Sequence, residues 1–331
     1  MVRCHLKKCT TFLLPALLLA FLLIFPVKAQ AATLDEATGF TYEVHDGNAT
    51  ITGCTLENNF FMDIPATVGG YPVVSIGASA FQNCNNLIEV TIPEGVVTIE
   101  PFAFYECYNL RWLTLPNSLI SIGEKAFCAC KSLEFFEFGD NLKTIGDGAF
   151  SFCENLYFYL EFPEGLESIG MGAFYDCDTL TTVLLPDSLI DLGSKSFALC
   201  DNLDYIYIPD GIPRIGSKVL YLSACYCYGG NWSGDVFYMG PYLMDASKSI
   251  SGSYETLKGI TNIADGAFEN CNNLTEVILP EGLQIIGAGA FDDCDNLKSI
   301  NIPSSVTFIG DKAFYECTAL SQVQFLIPLY I

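Results

Sequence analysis

The sequence predicts a β-rich solenoid with a parallel sheet on one face and short turns or 3-10/helical pieces on the other. It comprises about ten units of 23 residues and one insertion. Two observations carry this. The pattern IGxxAF, followed three residues after the Phe by Cys, recurs with Phe81, Phe104, Phe127, Phe150, Phe174, Phe197, Phe268, Phe291 and Phe314. Successive gaps are 23, 23, 23, 24, 23, 71, 23 and 23 residues, and Leu220 with Ile215-Gly216 before it fills a tenth position. Self-similarity at a period of about 20 to 50 residues marks an array in which each unit contacts only its neighbours. Ahead of each pattern stands a short alternating stretch closed by proline, such as Val90-Thr91-Ile92-Pro93, Leu113-Thr114-Leu115-Pro116 or Ile206-Tyr207-Ile208-Pro209. Alternation with a β-favouring middle makes a strand, and proline, lacking the N–H, ends it.

Along the chain, residues 1–31 come first. Arg3, His5, Lys7 and Lys8 form a positive segment, Phe12 to Phe25 an apolar run of 14, and Ala29-Gln30-Ala31 a small-x-small site. These are the parts of a secretory signal peptide, and the run is shorter than the roughly 20 residues of a membrane-spanning helix. No later stretch is long and apolar enough to span a bilayer. Removing Arg3, Lys7, Lys8 and Lys28 from the 15 basic residues leaves 11 against 38 acidic ones, a net charge of −27. Such a surface repels nucleic acid phosphates and anionic headgroups, so no nucleic acid partner is expected.

Residues 32–74 read as an N-terminal cap, with a hairpin around Asp46-Gly47 between Tyr42 and Thr52. The arrays follow at 75–220 and 255–331. Each unit gives one strand, a turn such as Pro93-Glu94-Gly95, and an apolar pair such as Val96 and Ile99 that returns the chain along another side of the coil. One unit cannot bury its apolar residues alone, so the Phe, Ala and Ile columns are the internal ladders of a stack.

The full pattern LxxVxIPxxVxxIGxxAFxxCxxL, seen at Leu274 to Leu297, resembles the leucine-rich repeat of the BspA-like bacterial and protist surface proteins. The lead-in, with Ile64-Pro65 and Gly70-Tyr71-Pro72-Val73, is similar to the N-terminal cap of that family. The resemblance implies a secreted or surface-attached protein of the binding and adhesion type, and it carries over no catalytic residues.

Between Leu220 and Phe268 lie 48 residues where one period uses 23, which places an insertion at 221–254. Asp235 to Met239 and Tyr242 to Asp245, parted by Gly240-Pro241, read as two strands and a tight turn. The segment is dense in aromatics, including Tyr226, Tyr228, Trp232, Phe237 and Tyr238. Two readings stand: a hairpin whose aromatics cover neighbouring coils, or a projecting recognition lobe that presents residues such as Trp232.

Nine of the 15 cysteines hold one repeat position, which the repeat rather than pairing fixes, so they read as interior thiols. Cys225-Tyr226-Cys227 lies outside that column, either bridged or exposed. After removal of the leader His45 is the only histidine, in the predicted cap hairpin, so a His-based nucleophile system or a multi-histidine metal site is not expected. No cofactor and no metal are expected; acidic turns such as Asp292, Asp293 and Asp295 suit calcium, yet Asp is also a good turn former.

Strand positions flanking the inward residues face outward. One such column reads Glu89, Trp112, Phe135, Tyr159, Thr182, Tyr205, Glu276, Ser299 and Gln322, and the next includes Glu137, Glu161 and Tyr207. Trp112, Phe135, Tyr159 and Tyr205 fall in one column, over successive repeats except for Thr182, and form an aromatic stripe flanked by carboxylates; with Tyr207 of the next column they are the candidate partner-binding residues. The expectation is a non-enzymatic protein at the cell surface or outside the cell, binding a protein or glycan through this face. A carboxylate-dependent glycan hydrolase and a structural surface-layer protein remain as alternatives. The ending Pro328-Leu329-Tyr330-Ile331 is mid-repeat and apolar, which suggests an uncapped array.

Overall fold

A computed structural model describes residues 32–55, 60–227 and 230–326. The leader, Tyr228 and the Pro328 to Ile331 ending lie outside the described residues. Residues from Ala32 onward belong to one compact unit. Phe40–His45 and Asn48–Cys54 form an antiparallel hairpin whose turn is Asp46-Gly47, both at positive φ. Asn48–Cys54 then pairs in parallel with Tyr71–Ile76, so the hairpin becomes the first rung of the solenoid and covers its edge.

Most coils contribute two strands where the sequence reading anticipates one. The front strands are those closed by proline: Phe61–Asp63, Glu89–Thr91 and Trp112–Thr114 pair in one sheet, Tyr159–Glu161, Thr182–Leu184 and Tyr205–Tyr207 in another. A third front sheet runs from Ser251–Glu255 to Gln322–Phe325. Their alternation works as expected: Val90 and Val183 are fully buried while their neighbours on either side face outward. The back strands are two-residue pieces, Thr98–Ile99, Ser121–Ile122, Thr144–Ile145, Ser168–Ile169, Asp191–Leu192 and Arg214–Ile215, each parallel to the last. Their apolar residue points in and their polar residue out.

The glycine that follows the back strand sits where backbones of successive coils touch. A Cβ on Gly193 would lie 2.4 Å from the carbonyl carbon of Gly170, and one on Gly216 2.2 Å from the nitrogen of Ser194. Two coils hold another residue there. Glu100 turns its carboxylate back onto the Ser75 hydroxyl and the Ala78 N–H, both at 3.0 Å. Ala264 is in the first coil after the insertion.

Inside, Phe81, Phe104, Phe127, Phe150, Phe174 and Phe197 stack with ring centroids 5.1–5.2 Å apart. Phe268, Phe291 and Phe314 resume the column at 5.0 and 5.3 Å. Between the two stacks the apolar interior divides into two clusters, and the insertion is what divides it.

The insertion forms an antiparallel hairpin, Val236–Met239 with Tyr242–Ala246, and Trp232–Ser233 adds a third strand. Both faces are covered. Phe237, Tyr242 and Met244 pack into the first cluster, Val236, Tyr238, Leu243 and Ala246 into the second. Tyr242, fully buried, donates its hydroxyl to the Pro209 carbonyl (2.7 Å) and accepts from the Ile212 N–H (2.9 Å). Tyr242-Leu243 pairs in parallel with Asn262–Ile263. Ala264 therefore donates to the Leu243 carbonyl while Asp265 donates to that of Ile215, both at 2.9 Å. The hairpin is a wall between two stacks, and the projecting-lobe reading is overturned, because alternate residues of both strands have an apolar cluster to enter. Ser251–Glu255, partly within the span assigned to the insertion, already pairs as a front strand with Asn273–Ile278.

Candidate functional site

The register brings the expected stripe together. Glu89 pairs with Trp112, Trp112 bridges to Phe135, and Tyr159, Thr182 and Tyr205 align in the next sheet. Trp112, Phe135, Tyr159, Tyr205 and Tyr207 are 37–54% exposed. Each is held outward because its strand neighbour, Leu113, Phe136, Leu160 or Ile206, is buried. Trp232 does not join them. Its indole N–H donates to the Tyr226 carbonyl at 2.7 Å and its ring packs on Tyr226 and Phe237 in the hairpin wall.

The front sheet is interrupted at Phe135, which makes only an isolated bridge. The next coil is the one of 24 residues, and its surplus lies ahead of Tyr159, where Tyr157 and Phe158 are both exposed. Tyr157 meets Phe135 edge to face at 5.6 Å and Phe158 at 4.2 Å. These two, with exposed Phe61 paired opposite Glu89, extend the stripe beyond the residues read from sequence. The adjacent aromatic pair in the single long coil was the available signal. A shallow cavity of about 270 Å³ opens between Trp112 and Phe135, walled by Thr114 and Glu137.

Charge is organised around the rings. Arg111 stacks on Trp112, 4.8 Å from the ring centroid, and pairs with Glu134 at 2.8 Å. The Tyr159 hydroxyl donates to Glu161 at 2.9 Å, which holds its proton more tightly and raises its pKa. The carboxylate of Asp187, then burial and Asp210, raise Tyr207 in the same way. Among the described residues Glu137, Glu161, Asp187 and Asp210 have no basic partner, whereas Lys131, Lys143 and Arg214 are paired with acids elsewhere. A second cavity, about 530 Å³, lies on the back column between Ile215, Ile285 and Phe308; its Arg214 is committed to Asp191 and Asp265.

His45 lies exposed on the cap hairpin, 3.7 Å from Glu43. Cys225 is buried with its thiol 3.2 Å from the Ser223 hydroxyl, Cys227 is exposed, and both are unbridged. No group of three or more His, Cys, Asp or Glu among the described residues is placed to hold a metal ion. No described helix is long and apolar enough to cross a membrane.

Two parallel strand columns, an internal Phe stack and near-constant coil length define a leucine-rich repeat solenoid. The family model for the BspA type leucine rich repeat region matches residues 57–159, 157–226 and 246–329, and the chain belongs to that family. Among solved structures it is similar to a leucine-rich repeat protein of Bacteroides ovatus, at 27% identity over 88% of each chain and a TM-score of 0.55. It also resembles the T. pallidum leucine rich repeat protein, at 25% identity over 73% of this chain and 91% of that one, with a TM-score of 0.52. The pneumococcal vaccine antigen PcpA, 21% identical over 89% and 81%, shares the fold at a TM-score of 0.50. No curated protein matches the chain.

Proposed function

We propose that this is a secreted or cell-surface repeat protein that binds an extracellular partner, a protein or a glycan, through the front face of its first array. In this reading residues 1–31 are removed on export, 32–74 cap the solenoid, and the arrays 75–220 and 255–331 flank the inserted wall at 221–254. The observation that carries it is the continuity of the stripe. Single exposed apolar residues need no explanation, but a contiguous patch marks an interaction surface. Here Trp112, Phe135, Tyr157, Phe158 and Tyr159 adjoin one another across an interrupted sheet. The corresponding columns of the second array hold Glu276, Ser299 and Gln322, then Ile278, Asn301 and Gln324, without an aromatic. The face is therefore distinctive to one array, as recognition requires and mere stacking does not. Membership of the BspA type family supports the surface setting.

The test is binding of the purified protein to extracellular-protein and glycan arrays beside a variant with Trp112→Ser, Phe135→Ser and Tyr205→Ser. Loss of a defined binding class in the folded variant is the expected result. Equal binding by both proteins would remove the face from consideration.

A further inference from the structure

The carboxylates beside the stripe say more about its occupant than the rings do. At Trp112 the protein fills the arrangement with its own cation: Arg111 lies over the ring and its guanidinium meets Glu134. The following rungs repeat the ring and the carboxylate without the cation. Phe135 and Glu137 line one shallow cavity, Tyr159 holds Glu161 by a hydrogen bond, and Tyr207 is flanked by Asp187 and Asp210. None of these four acids has a basic partner among the described residues, and the 11 basic residues after the leader face 38 acids.

We propose that the occupant of this face is an extended polypeptide segment bearing arginine or lysine side chains, each seated between an aromatic ring and a carboxylate as Arg111 is seated at Trp112. This rests on the front-face reading above and names its partner class. Strands in a sheet stand about 4.8 Å apart, so the four steps from Trp112 to Tyr205 span about 19 Å, the length of roughly six extended residues. A cation over a ring is attracted by the negative face of its π system, and the acidic field speeds encounter with a basic partner. The same field disfavours sulfated or sialylated glycans, which would bring further negative charge to unpaired acids.

The decisive probe is a short peptide with arginine at alternate positions, compared with the same peptide carrying citrulline, which keeps the shape and loses the charge. Affinity is read by fluorescence anisotropy at low and physiological salt. The arginine peptide should bind about tenfold more tightly than the citrulline one, and the difference should shrink as salt rises. A variant with Glu161→Gln and Asp187→Asn, and separately the variant with Trp112→Ser, Phe135→Ser and Tyr205→Ser, should each weaken binding about tenfold with unchanged circular dichroism. Equal affinity for the two peptides, no binding of either, or undiminished binding by the ring variant would each overturn the proposal, the last by showing only diffuse attraction to an acidic surface. A glycan that binds the wild type and not the ring variant, with the arginine peptide inert, would refute the partner class while leaving the front-face reading in place. A partner from the arrays that binds wild type and ring variant alike would refute the face itself.

Discussion

The thiol of Cys153 donates to the carbonyl of Phe127, one coil earlier, at 3.3 Å. The same link joins Cys107 to Phe81, Cys177 to Phe150 and Cys294 to Phe268. The column thus satisfies a carbonyl at the turn where a larger polar side chain would not fit the stack. Burial pushes the Cys107 and Cys200 thiols up to about 12 and Cys153 and Cys177 well above the ordinary thiol range.

Since the thiolate is the reactive form, the buried thiols Cys107, Cys153, Cys177 and Cys200 should resist alkylation. Iodoacetamide at about pH 8 should label exposed Cys227 in the native protein and reach Cys153 only after denaturant is added. Mass spectrometry checks this, and labelling of Cys153 at the rate of Cys227 would mean that the coils open readily.

Close backbone contact at Gly193 makes a second prediction. Gly193→Ala places a methyl against the Gly170 carbonyl carbon, and overpacking of this kind costs about 1–3 kcal/mol. Urea unfolding should show the loss. Unchanged stability would mean that neighbouring coils separate without cost.

Tyr242→Phe removes the hydroxyl that serves both the Pro209 carbonyl and the Ile212 N–H. Two buried backbone groups lose their partner, at a cost of about 1–3 kcal/mol. Calorimetry should show a lower melting temperature with the front-face affinity retained, and loss of binding at equal stability would contradict a structural role for the hairpin.

Asp245 carries a pH signature. Burial raises its carboxyl, against the opposing hydrogen bond from Tyr226. A carboxyl held above its unfolded value contributes fully in acid, and that contribution is lost as pH rises through the folded value. Asp245→Asn should therefore raise the melting temperature more at neutral pH than below about pH 3.9, the unfolded carboxylate value. An equal shift at both would exclude charge burial as its cause.

The front ladder was legible because it needs only a period of 23 and an alternation of two, and those place Trp112, Phe135, Tyr159 and Tyr205 in one column without coordinates. The back ladder was not, since a two-residue strand such as Ser121–Ile122 leaves a single inward residue and no alternation to read. Trp232 reads equally well as a lobe residue from sequence because composition does not distinguish an aromatic that covers a core from one that meets a partner; only its packing on Tyr226 and Phe237 against the first cluster decides that. Tyr157 and Phe158 stand outside the aligned columns because their coil has 24 residues. Most of Ser251–Glu255 lies within the span read as insertion for want of the proline that ends other front strands.

Because each coil between Phe104 and Phe197 stacks only on its neighbours, duplication or loss of 23 residues there would lengthen or shorten the aromatic face by one rung with no repacking elsewhere. The hairpin wall has no such freedom: deleting it would leave the Phe197 and Phe268 stacks each with a bare apolar end. Variation among descendants of this gene should therefore accumulate as whole coils on either side of Val236 to Ala246, tuning how long a partner is gripped while the junction is inherited intact.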